Sequence, residues 1–430
     1  MKRTGRGDTG IPTRARQWAS ASASDRLGPA GESTGSGDAA LSLRFAFVSS
    51  NFSWGGSETL WSETAAELAR RGCTVTAYKN RLARRDGNVA TLEALKVKRR
   101  ELARFPGLPN QLFSLVGRIS PYFSHGYQAL RLHASFAVSR RHDLIVLSQG
   151  GNADGWLLGA VCRRGRAPYV VISQKATDLY WPQDDWQTQL RSLYRGARHS
   201  FFVSHHNRVL TEEQIGERIP RASVVRNPFL VPPEAPIPWP ADGAEVRLAC
   251  VGRLYPKEKG QDLLLRVLAR KKWRDRPLSV TFFGEGEQRA GLESMARLLG
   301  LDRVRFAGFT SDVAAIWADH HGLVLPSRAE GLPLVLVEAM MAGRVAVVTD
   351  VGGNAEVIDD GRTGFIADAP TEASFDRALE RAWERRGEWR GIGTAAAAEI
   401  RTLVPPDPAA DLADRLMALA TERDSAGVAA

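Results

Sequence analysis

The stretch SRAEGLPLVLVEAMMAG, residues 327–343, decides how the second half of this chain folds. Its apolar run predicts a helix from Pro333 to Ala342. Proline suits the first position of a helix, and Gly343 suits the position just past its end. A helix that is apolar on every side is buried. The stretch therefore predicts a helix enclosed in the core of a globular domain.

A single carboxylate, Glu338, lies in the middle of this apolar helix, and Glu330 lies eight residues earlier in the loop that enters it. A buried carboxylate costs several kcal/mol of desolvation unless a donor hydrogen-bonds to it. Hydroxyl groups of a sugar or ribose are suitable donors, and a phosphate suits the positive end of the helix dipole. The pattern favours a polyhydroxylated, phosphorylated ligand at the start of the helix.

Length and composition indicate a soluble globular protein with room for two domains, since the chain has 430 residues, 43% hydrophobic and 25% charged. A net charge of +10 favours anionic partners such as nucleotides, phosphorylated lipids, an acidic membrane surface or nucleic acid. Cys73, Cys162 and Cys250 are far apart and predict reduced thiols in a cytosolic protein. No apolar run reaches the 18 residues of a membrane-spanning helix.

The first 40 residues are rich in Gly, Ser, Ala, Thr and Arg and contain no hydrophobic region of a secretory signal. They predict a disordered extension, and an overlong start site is the alternative. A basic arm that binds nucleic acid is a weaker alternative, because no nucleic-acid-binding motif accompanies it.

Strand and helix patterns alternate along both halves of the chain. Phe45–Val48 has a buried-strand pattern, the glycine-rich turn NFSWGGSE follows, and a helix is predicted over residues 57–71. Further strands are predicted at residues 74–78, 143–149, 168–174 and 199–204. The alternation restarts after a proline-rich linker at 231–243. We expect two doubly wound parallel sheets facing a cleft at the carboxyl ends of their strands.

Four blocks of the second half resemble the family-4, or group 1, glycosyltransferases of the GT-B fold. They are VGRLYPKEKGQDLLL, FFGEGEQRAGLE, EGLPLVLVEAMMAG and GGNAEVIDDGRTGF, in the family's order and spacing. The first half adds WGGSE after its first strand. The resemblance implies two Rossmann-like domains, an acceptor-binding one at 41–230 and a donor-binding one at 244–405. Residues 406–430 would form a helix packing back toward the first domain, and a tail.

The resemblance also assigns the residues that bind a nucleotide-sugar donor. Arg253 and Lys259 would hold its diphosphate, where negative charge grows as the bond breaks. Glu338 would bind the ribose diol, and Glu330 would contact the donor sugar and its reacting end. We therefore name Glu330, Arg253 and Lys259 as candidate catalytic residues. The alternative for the two cations is a pair of solvated loop charges.

Backbone groups complete the expected donor site. Gly55 and Gly56 match the family's N-terminal glycine loop, where missing side chains let N–H groups approach phosphate or sugar. Their alternative is a plain tight turn. Gly331 and Leu332 would meet the sugar and phosphates through their backbone, and Phe309 would lie near the nucleotide base.

The family transfers sugar with retention of anomeric configuration. No D-x-D sequence occurs in the chain, so a metal–diphosphate site is not indicated, and we predict a hexosyl-type transferase that needs neither metal nor cofactor. The acceptor hydroxyl would attack from the face that the phosphate leaves, and the departing phosphate oxygen would take its proton. The residues do not distinguish this route from one through a short-lived covalent species.

The first half departs from the family in one respect. Many members carry a histidine after the fourth strand, whereas this chain reads VLSQGGNADG there, with Ser148 and Gln149. Gln149 can hydrogen-bond a sugar hydroxyl but cannot act as a base. Lys175, which follows the next strand, would contact an anionic acceptor or be a solvated loop lysine. An aromatic loop with Tyr180, Trp181 and Trp186 indicates a small satellite core, with sugar stacking as the alternative.

The segment Arg81–Arg104 holds eight basic and three acidic residues. Lys96, Arg100 and Arg104 would share a helix face, which predicts either a docking surface for anionic lipid or an ordinary solvated face. We accordingly predict a cytoplasmic protein with peripheral contact to the inner face of a membrane.

We therefore predict a transferase that moves sugar from a nucleotide donor to a sugar or lipid-linked acceptor in polysaccharide, glycolipid or other glycoconjugate synthesis. Two alternatives stay open: a GT-B relative with epimerase or hydrolase chemistry, and a non-catalytic nucleotide-sugar-binding protein.

Overall fold

The structure, a computed structural model, describes residues 42–51, 55–79, 87–101, 141–231, 237–241, 243 and 245–422. The predicted N-terminal extension, much of the basic segment and part of the proline-rich linker lie outside the described residues.

The first sheet is formed by seven parallel strands in the order β3-β2-β1-β4-β5-β6-β7. The strands are β1 (Arg44–Ser49), β2 (Thr74–Lys79), β3 (Lys98–Glu101), β4 (Leu144–Gln149), β5 (Tyr169–Ser173), β6 (Ser200–Phe202) and β7 (Ala222–Val224). Both faces of the sheet are buried, since β4 has no exposed residue and two separate apolar clusters cover its sides. A parallel sheet needs such cover, because its crossover helices lie on both faces.

Five described helices belong to this domain. They are α1 (Gly56–Arg70), α2 (Gly87–Ala94), α3 (Trp156–Arg164), α4 (Gln187–Gly196) and α5 (His205–Ile215), with a 3₁₀ turn at Asp184–Trp186. The predicted strands and the helix after the glycine-rich turn are confirmed to within two residues. The predicted helix face of Lys96 and Arg100 is wrong: α2 ends at Ala94, and Arg100 lies in β3. The strand reads KRRE, without apolar periodicity of its own, and it forms by pairing with β2.

The second sheet has six parallel strands in the order β10-β9-β8-β11-β12-β13. They are β8 (Val246–Val251), β9 (Leu278–Phe283), β10 (Val304–Gly308), β11 (Gly322–Leu325), β12 (Val345–Thr349) and β13 (Phe365–Ala367). In both sheets the order reverses direction beside the first strand, which is the place where open parallel sheets bind ligands.

Helices cover both faces of this second sheet and bury two apolar clusters. They are α6 (Pro256–Lys259), α7 (Gln261–Leu268), α8 (Lys271–Arg274), α9 (Arg289–Leu298), α10 (Val313–Asp319), α11 (Leu334–Met341), α12 (Asn354–Val357), α13 (Glu372–Glu384) and α14 (Trp389–Leu403). A 3₁₀ turn at Arg386–Glu388 precedes the last of them.

Helix α11 is the buried helix that the sequence predicts, and its ends differ slightly from the prediction. Pro333 is the N-cap and not the first helical residue, because its ψ of 129° is extended. Its carbonyl accepts the first helical hydrogen bond, from Leu336 N–H at 3.1 Å. Gly343 follows the helix at φ +69°, a left-handed conformation that favours glycine.

The last described helix, α15 (Pro408–Thr421), lies against the first domain. Leu412, Ala413 and Leu416 are buried in the apolar cluster under α1. Arg71 also pairs with Asp414, which binds α15 to the end of α1. Within the described residues, no helix has the length and apolar character needed to cross a membrane.

Candidate functional site

The two domains meet at the carboxyl ends of their strands, through backbone atoms. Gly331 lies so close to Gln174 that a Cβ added to Gly331 would overlap the Gln174 carbonyl oxygen. A Cβ on Gly353 would lie 2.8 Å from Ser204 Cβ. Because these positions carry no side chain, the loops after β11 and β12 pack directly on the first domain.

Polar groups join the domains on either side of this contact. The Lys175 Nζ, after β5, lies 2.7 Å from Glu258 Oε1 in α6. The Glu356 carboxylate, from α12, accepts a hydrogen bond from His206 N–H at 2.7 Å and lies 3.6 Å from Arg226 Nη1. A carboxylate at the N-terminus of α5 also complements the helix dipole. These contacts fix the two sheets at one spacing across the cleft.

The glycine loop of the first domain faces the buried helix of the second. Gly55 is the N-cap of α1, and a Cβ built on Gly56 would lie 3.1 Å from Leu334 Cδ1 in the first turn of α11. A Cβ on Gly55 would meet nothing within 4 Å. Two helix N-termini therefore converge on one open space, and both dipoles favour an anion there.

A buried carboxylate that sequence reasoning missed braces the glycine loop. Glu58, fully buried in the first turn of α1, accepts from Lys79 Nζ at 2.6 Å and Asn51 Nδ2 at 2.7 Å. Ser49 Oγ and Trp61 Nε1 also donate to it, each at 2.9 Å. The signal that would have found it is the acidic residue of WGGSE together with a lysine that ends β2.

The second domain brings Lys259 and Glu330 together at the same cleft. Lys259 Nζ lies 2.6 Å from Glu330 Oε1, which also accepts from Ser327 Oγ at 2.7 Å. Glu330 is 5% exposed. The Lys259 ammonium compensates the charge of the Glu330 carboxylate, which lowers the free-energy cost of burying it beside the start of α11.

Arg253 lies on a loop that backbone hydrogen bonds hold firmly. Gly252 N–H donates to the Phe283 carbonyl and Leu254 N–H to the Glu285 carbonyl, each at 2.9 Å, and Gln261 Nε2 donates to the Arg253 carbonyl at 2.8 Å. The Arg253 side chain is exposed and forms no ion pair with any other described residue. Its guanidinium is therefore available for an anionic ligand.

Glu338 is buried as the apolar helix predicts, at 5% exposure. Burial raises the pKa of its carboxyl, an effect that the Leu230 N–H, donating at 3.1 Å, partly offsets. Leu230 belongs to the chain that crosses between the domains. A carboxylate with so little stabilisation from the described residues is well suited to accept hydrogen bonds from a ligand.

The second domain is similar to a known protein family. Residues 245–385 match the family model for glycosyl transferases of group 1. The match covers most of the second domain, from β8 into the region just after α13.

Curated relatives match over limited lengths. The Vi polysaccharide biosynthesis protein VipC/TviE of Salmonella typhi is 38% identical over 108 residues, 25% of this chain and 19% of that protein. A GDP-mannose-dependent α-(1-6)-phosphatidylinositol monomannoside mannosyltransferase of Mycolicibacterium smegmatis is 29% identical over 250 residues, 53% of this chain and 64% of that protein. The chain thus spans less than two thirds of these relatives.

Solved structures resemble nearly the whole chain. HepE of Anabaena, determined with UDP and glucose, covers 87% of this chain and 99% of its own, with a TM-score of 0.67 and 18% identity. Sucrose-phosphate synthase of Thermosynechococcus elongatus covers 88% and 99%, with a TM-score of 0.67 and 16% identity. With the two parallel sheets, these likenesses confirm the GT-B fold.

The two residues predicted for the acceptor side have partners within the protein. Gln149, predicted to hydrogen-bond a sugar hydroxyl, is fully buried, and its side-chain amide is hydrogen-bonded within the first domain. Its amide donates to Tyr194 Oη at 2.8 Å and accepts from Gly155 N–H at 2.9 Å. These bonds hold the turn after β4. Lys175 is not a fully solvated loop lysine, because Glu258 pairs with it, and its contact with an anionic acceptor stays a prediction.

Other residues predicted for the donor site differ in exposure. Phe309, just after β10, is 73% exposed, whereas Leu332 is 5% exposed beside α11. The aromatic loop is not a satellite core: Tyr180 and Trp181 are 41% and 56% exposed, and only Trp186 packs inward, with its ring centroid 6.2 Å from that of Trp156. Proline at 182 directs the chain between these environments.

The described part of the chain holds no group of three His, Cys, Asp or Glu residues with metal-binding geometry. Metal independence stays a prediction, which is based on the absence of a D-x-D sequence.

Proposed function

We propose that the protein is a retaining glycosyltransferase that moves a hexosyl unit from a nucleotide-sugar donor to a hydroxyl acceptor, in polysaccharide, glycolipid or other glycoconjugate synthesis. The observation that carries this proposal is the convergence of the α1 and α11 N-termini beside the Lys259–Glu330 pair. The space between them has backbone donors, a cation and a carboxylate at its edge, as a sugar diphosphate requires.

The donor would lie across this space with its nucleotide on the second domain. Glu338 would accept hydrogen bonds from the ribose diol, because its buried carboxylate has few donors from the protein. The base would lie toward Phe309. The similar HepE was determined with UDP and glucose, and the similar mannosyltransferase is GDP-mannose-dependent, which supports a nucleotide-sugar donor without choosing among them.

Charge arrangement supports departure of the diphosphate. Arg253 is exposed and unpaired by described residues, so its fork of N–H donors can bind a phosphate in two places. Lys259 would contact a phosphate while it stays paired with Glu330. The two helix N-termini add positive potential. All these groups favour the transition state over the ground state, because the leaving phosphate gains charge as the glycosidic bond breaks.

The first domain supplies no obvious base at the end of β4, since the hydrogen-bonding groups of Gln149 are occupied. This supports a route in which the leaving phosphate oxygen takes the acceptor's proton as the hydroxyl attacks from the same face. That route retains the anomeric configuration of the donor.

A thermal-shift screen with UDP-glucose, GDP-mannose and related nucleotide sugars tests donor binding. We expect one of them to raise the melting temperature, and Arg253→Ala and Glu338→Ala to abolish the shift. Arg297→Ala is the matched control, because Arg297 is an exposed cation in the last turn of α9. Stabilisation that survives both site substitutions would place the donor elsewhere.

The stereochemistry has its own test. Proton NMR of sugar released from an α-linked donor, recorded before mutarotation, should show the α anomer first. A β anomer would exclude retention, and a donor that binds without any transfer or release would indicate a non-catalytic binding protein.

Peripheral contact with an anionic membrane stays a prediction, although Lys96 and Arg100 do not lie on one face of a helix. Co-sedimentation with vesicles of phosphatidylglycerol tests it, and the charge reversals Lys96→Glu and Arg100→Glu should reduce binding. Equal binding by wild type and variants would remove this part of the proposal.

A further inference from the structure

The loop at residues 178–185 is exposed but held at both ends. Just before it, Thr177 is buried, and its carbonyl accepts from Gln214 Nε2 at 3.0 Å. Just after it, Trp186 packs against Trp156. Within it, Pro182 is buried while all other residues are exposed. The exposed side chains are therefore presented on a fixed frame, which lowers the entropy cost of binding a ligand.

The loop lies at the mouth of the cleft, against the segment that carries Arg253 and Lys259. The ring of Tyr180 lies with its centroid 4.7 Å from Lys257 Nζ and 5.9 Å from Lys175 Nζ. Partial burial, with contributions from Tyr255 and Glu258, raises the pKa of the Tyr180 phenol. Tyr180 thus places the rest of the loop beside the predicted diphosphate site.

Next to Tyr180, the side chains of Leu179 and Trp181 are 41% and 56% exposed. The indole is a large flat apolar surface of the kind that interfaces use for ring-shaped ligands. Three exposed aspartates, Asp178, Asp184 and Asp185, belong to the same loop. No lysine or arginine occurs from residue 176 to residue 190.

This chemistry selects among ligands. A sugar ring offers C–H groups to an aromatic face and hydroxyl donors to carboxylates, which accept hydrogen bonds only. The three carboxylates of the loop outnumber Lys257, the nearby lysine that Glu258 does not pair, so the local net charge is negative and disfavours anionic lipid, nucleic acid and acidic glycans. A neutral sugar is the ligand that satisfies both the indole and the carboxylates.

We propose that Trp181 and the aspartates of the same loop form a subsite for a neutral sugar unit of the acceptor. The subsite rests on the proposed transferase function, because its position beside the diphosphate site is what makes the bound sugar an acceptor. It limits the acceptor to molecules that end in an uncharged sugar.

Saturation-transfer NMR with maltose, cellobiose and α-1,6-mannobiose, in the presence of UDP, tests the subsite. We expect transfer to the C–H protons of at least one disaccharide with the wild-type protein. Trp181→Ala should weaken that binding about three- to tenfold, the fold-change that an aromatic contact represents. Trp181→Phe should restore most of it, because the phenyl ring keeps a flat face.

Donor stabilisation in the thermal-shift screen should be the same for wild type, Trp181→Ala and Trp181→Phe. Donor stabilisation should be lost in Arg253→Ala, which tests the proposed transferase function and not the sugar subsite. Failure of one proposal can therefore be told from failure of the other. Equal disaccharide binding by Trp181→Ala, or no disaccharide binding by wild type, would overturn the subsite. Loss of vesicle binding in Trp181→Ala without a change in sugar binding would show a membrane contact instead.

Discussion

Lys175 and Glu258 form an ion pair across the cleft, with 2.7 Å between Nζ and Oε1. Lys175 follows β5 of the first sheet, and Glu258 lies in α6 of the second, between the candidate cations Arg253 and Lys259. The two side chains are 26% and 12% exposed. An ion pair so placed couples the spacing of the domains to the loop that would hold the diphosphate.

Breaking this pair should weaken donor binding without unfolding the protein. We expect Lys175→Met to lower donor affinity severalfold, because Glu258 is then free to attract Arg253 and Lys259 away from the phosphates. In a double-mutant cycle with Glu258→Gln, the coupling energy should be about 1 kcal/mol, as partly exposed pairs give. Calorimetric titration with the donor measures it. Additive effects of the two substitutions would mean that the pair carries no coupling.

The same pair predicts a pH dependence of stability. Burial raises the pKa of Glu258, but the hydrogen bond and charge of Lys175 outweigh it, so the net pKa lies below the ordinary value of 4.5. Its stabilisation is present above pH 4.5 and is lost as the pH falls through the lower folded-state pKa. Urea unfolding of wild type and Glu258→Gln should therefore differ at pH 7 and converge in acid. A constant difference would contradict the assignment.

Gly55→Ala should separate ligand binding from folding. The added methyl group meets no atom within 4 Å, and the backbone of Gly55, at φ −167°, is one that alanine adopts. We expect an unchanged melting temperature but donor affinity reduced about tenfold or more, because the methyl group occupies the space between the helix N-termini. Gly387→Ala, equally free of contacts, is the control. Unchanged donor affinity in Gly55→Ala would move the phosphates away from this loop.

Glu338→Gln should stabilise the unliganded protein while it weakens nucleotide binding. Because burial raises the pKa of Glu338, wild-type stability falls as the pH rises from about 4.5 through the folded-state pKa, and the penalty persists above it. The amide carries no charge, so the variant should be more stable at pH 8 by about 1 kcal/mol. Chemical unfolding at pH 8 and near pH 4 measures the difference. Lower stability at pH 8 would show that the carboxylate has further donors.

The Glu58–Lys79 pair should prove essential to the first domain. Glu58→Gln leaves the buried ammonium of Lys79 without its charge partner, so we expect a loss of about 3–5 kcal/mol in the free energy of unfolding. Lys79→Met leaves the opposite charge and should cost a similar amount. The double variant should recover much of the loss, because no isolated charge is then buried. Denaturant titration of the three variants decides between this coupling and simple additivity.

Much of the fold was predictable because its signals are local. Apolar strand cores such as Phe45–Val48 and the apolar run of α11 each bury their residues whatever else the chain does, and a glycine-rich turn between strand and helix leaves few alternatives to a parallel sheet. The helix face predicted in the basic segment was wrong because that prediction used local periodicity alone. Arg100 belongs to a short edge strand, and this strand forms by pairing with β2.

The sequence by itself determined that two doubly wound sheets form, that Glu338 is buried, and that Lys259 and Glu330 belong to one site. Only the tertiary structure decided that Lys175 pairs with Glu258, that Gln149 turns inward, that Glu356 caps α5 of the other domain and that Trp181 is exposed. These partners lie far apart in sequence, and no residue pattern encodes the distance between them. That distance depends on how two separately folded sheets dock, which the close backbone contact at Gly331 fixes.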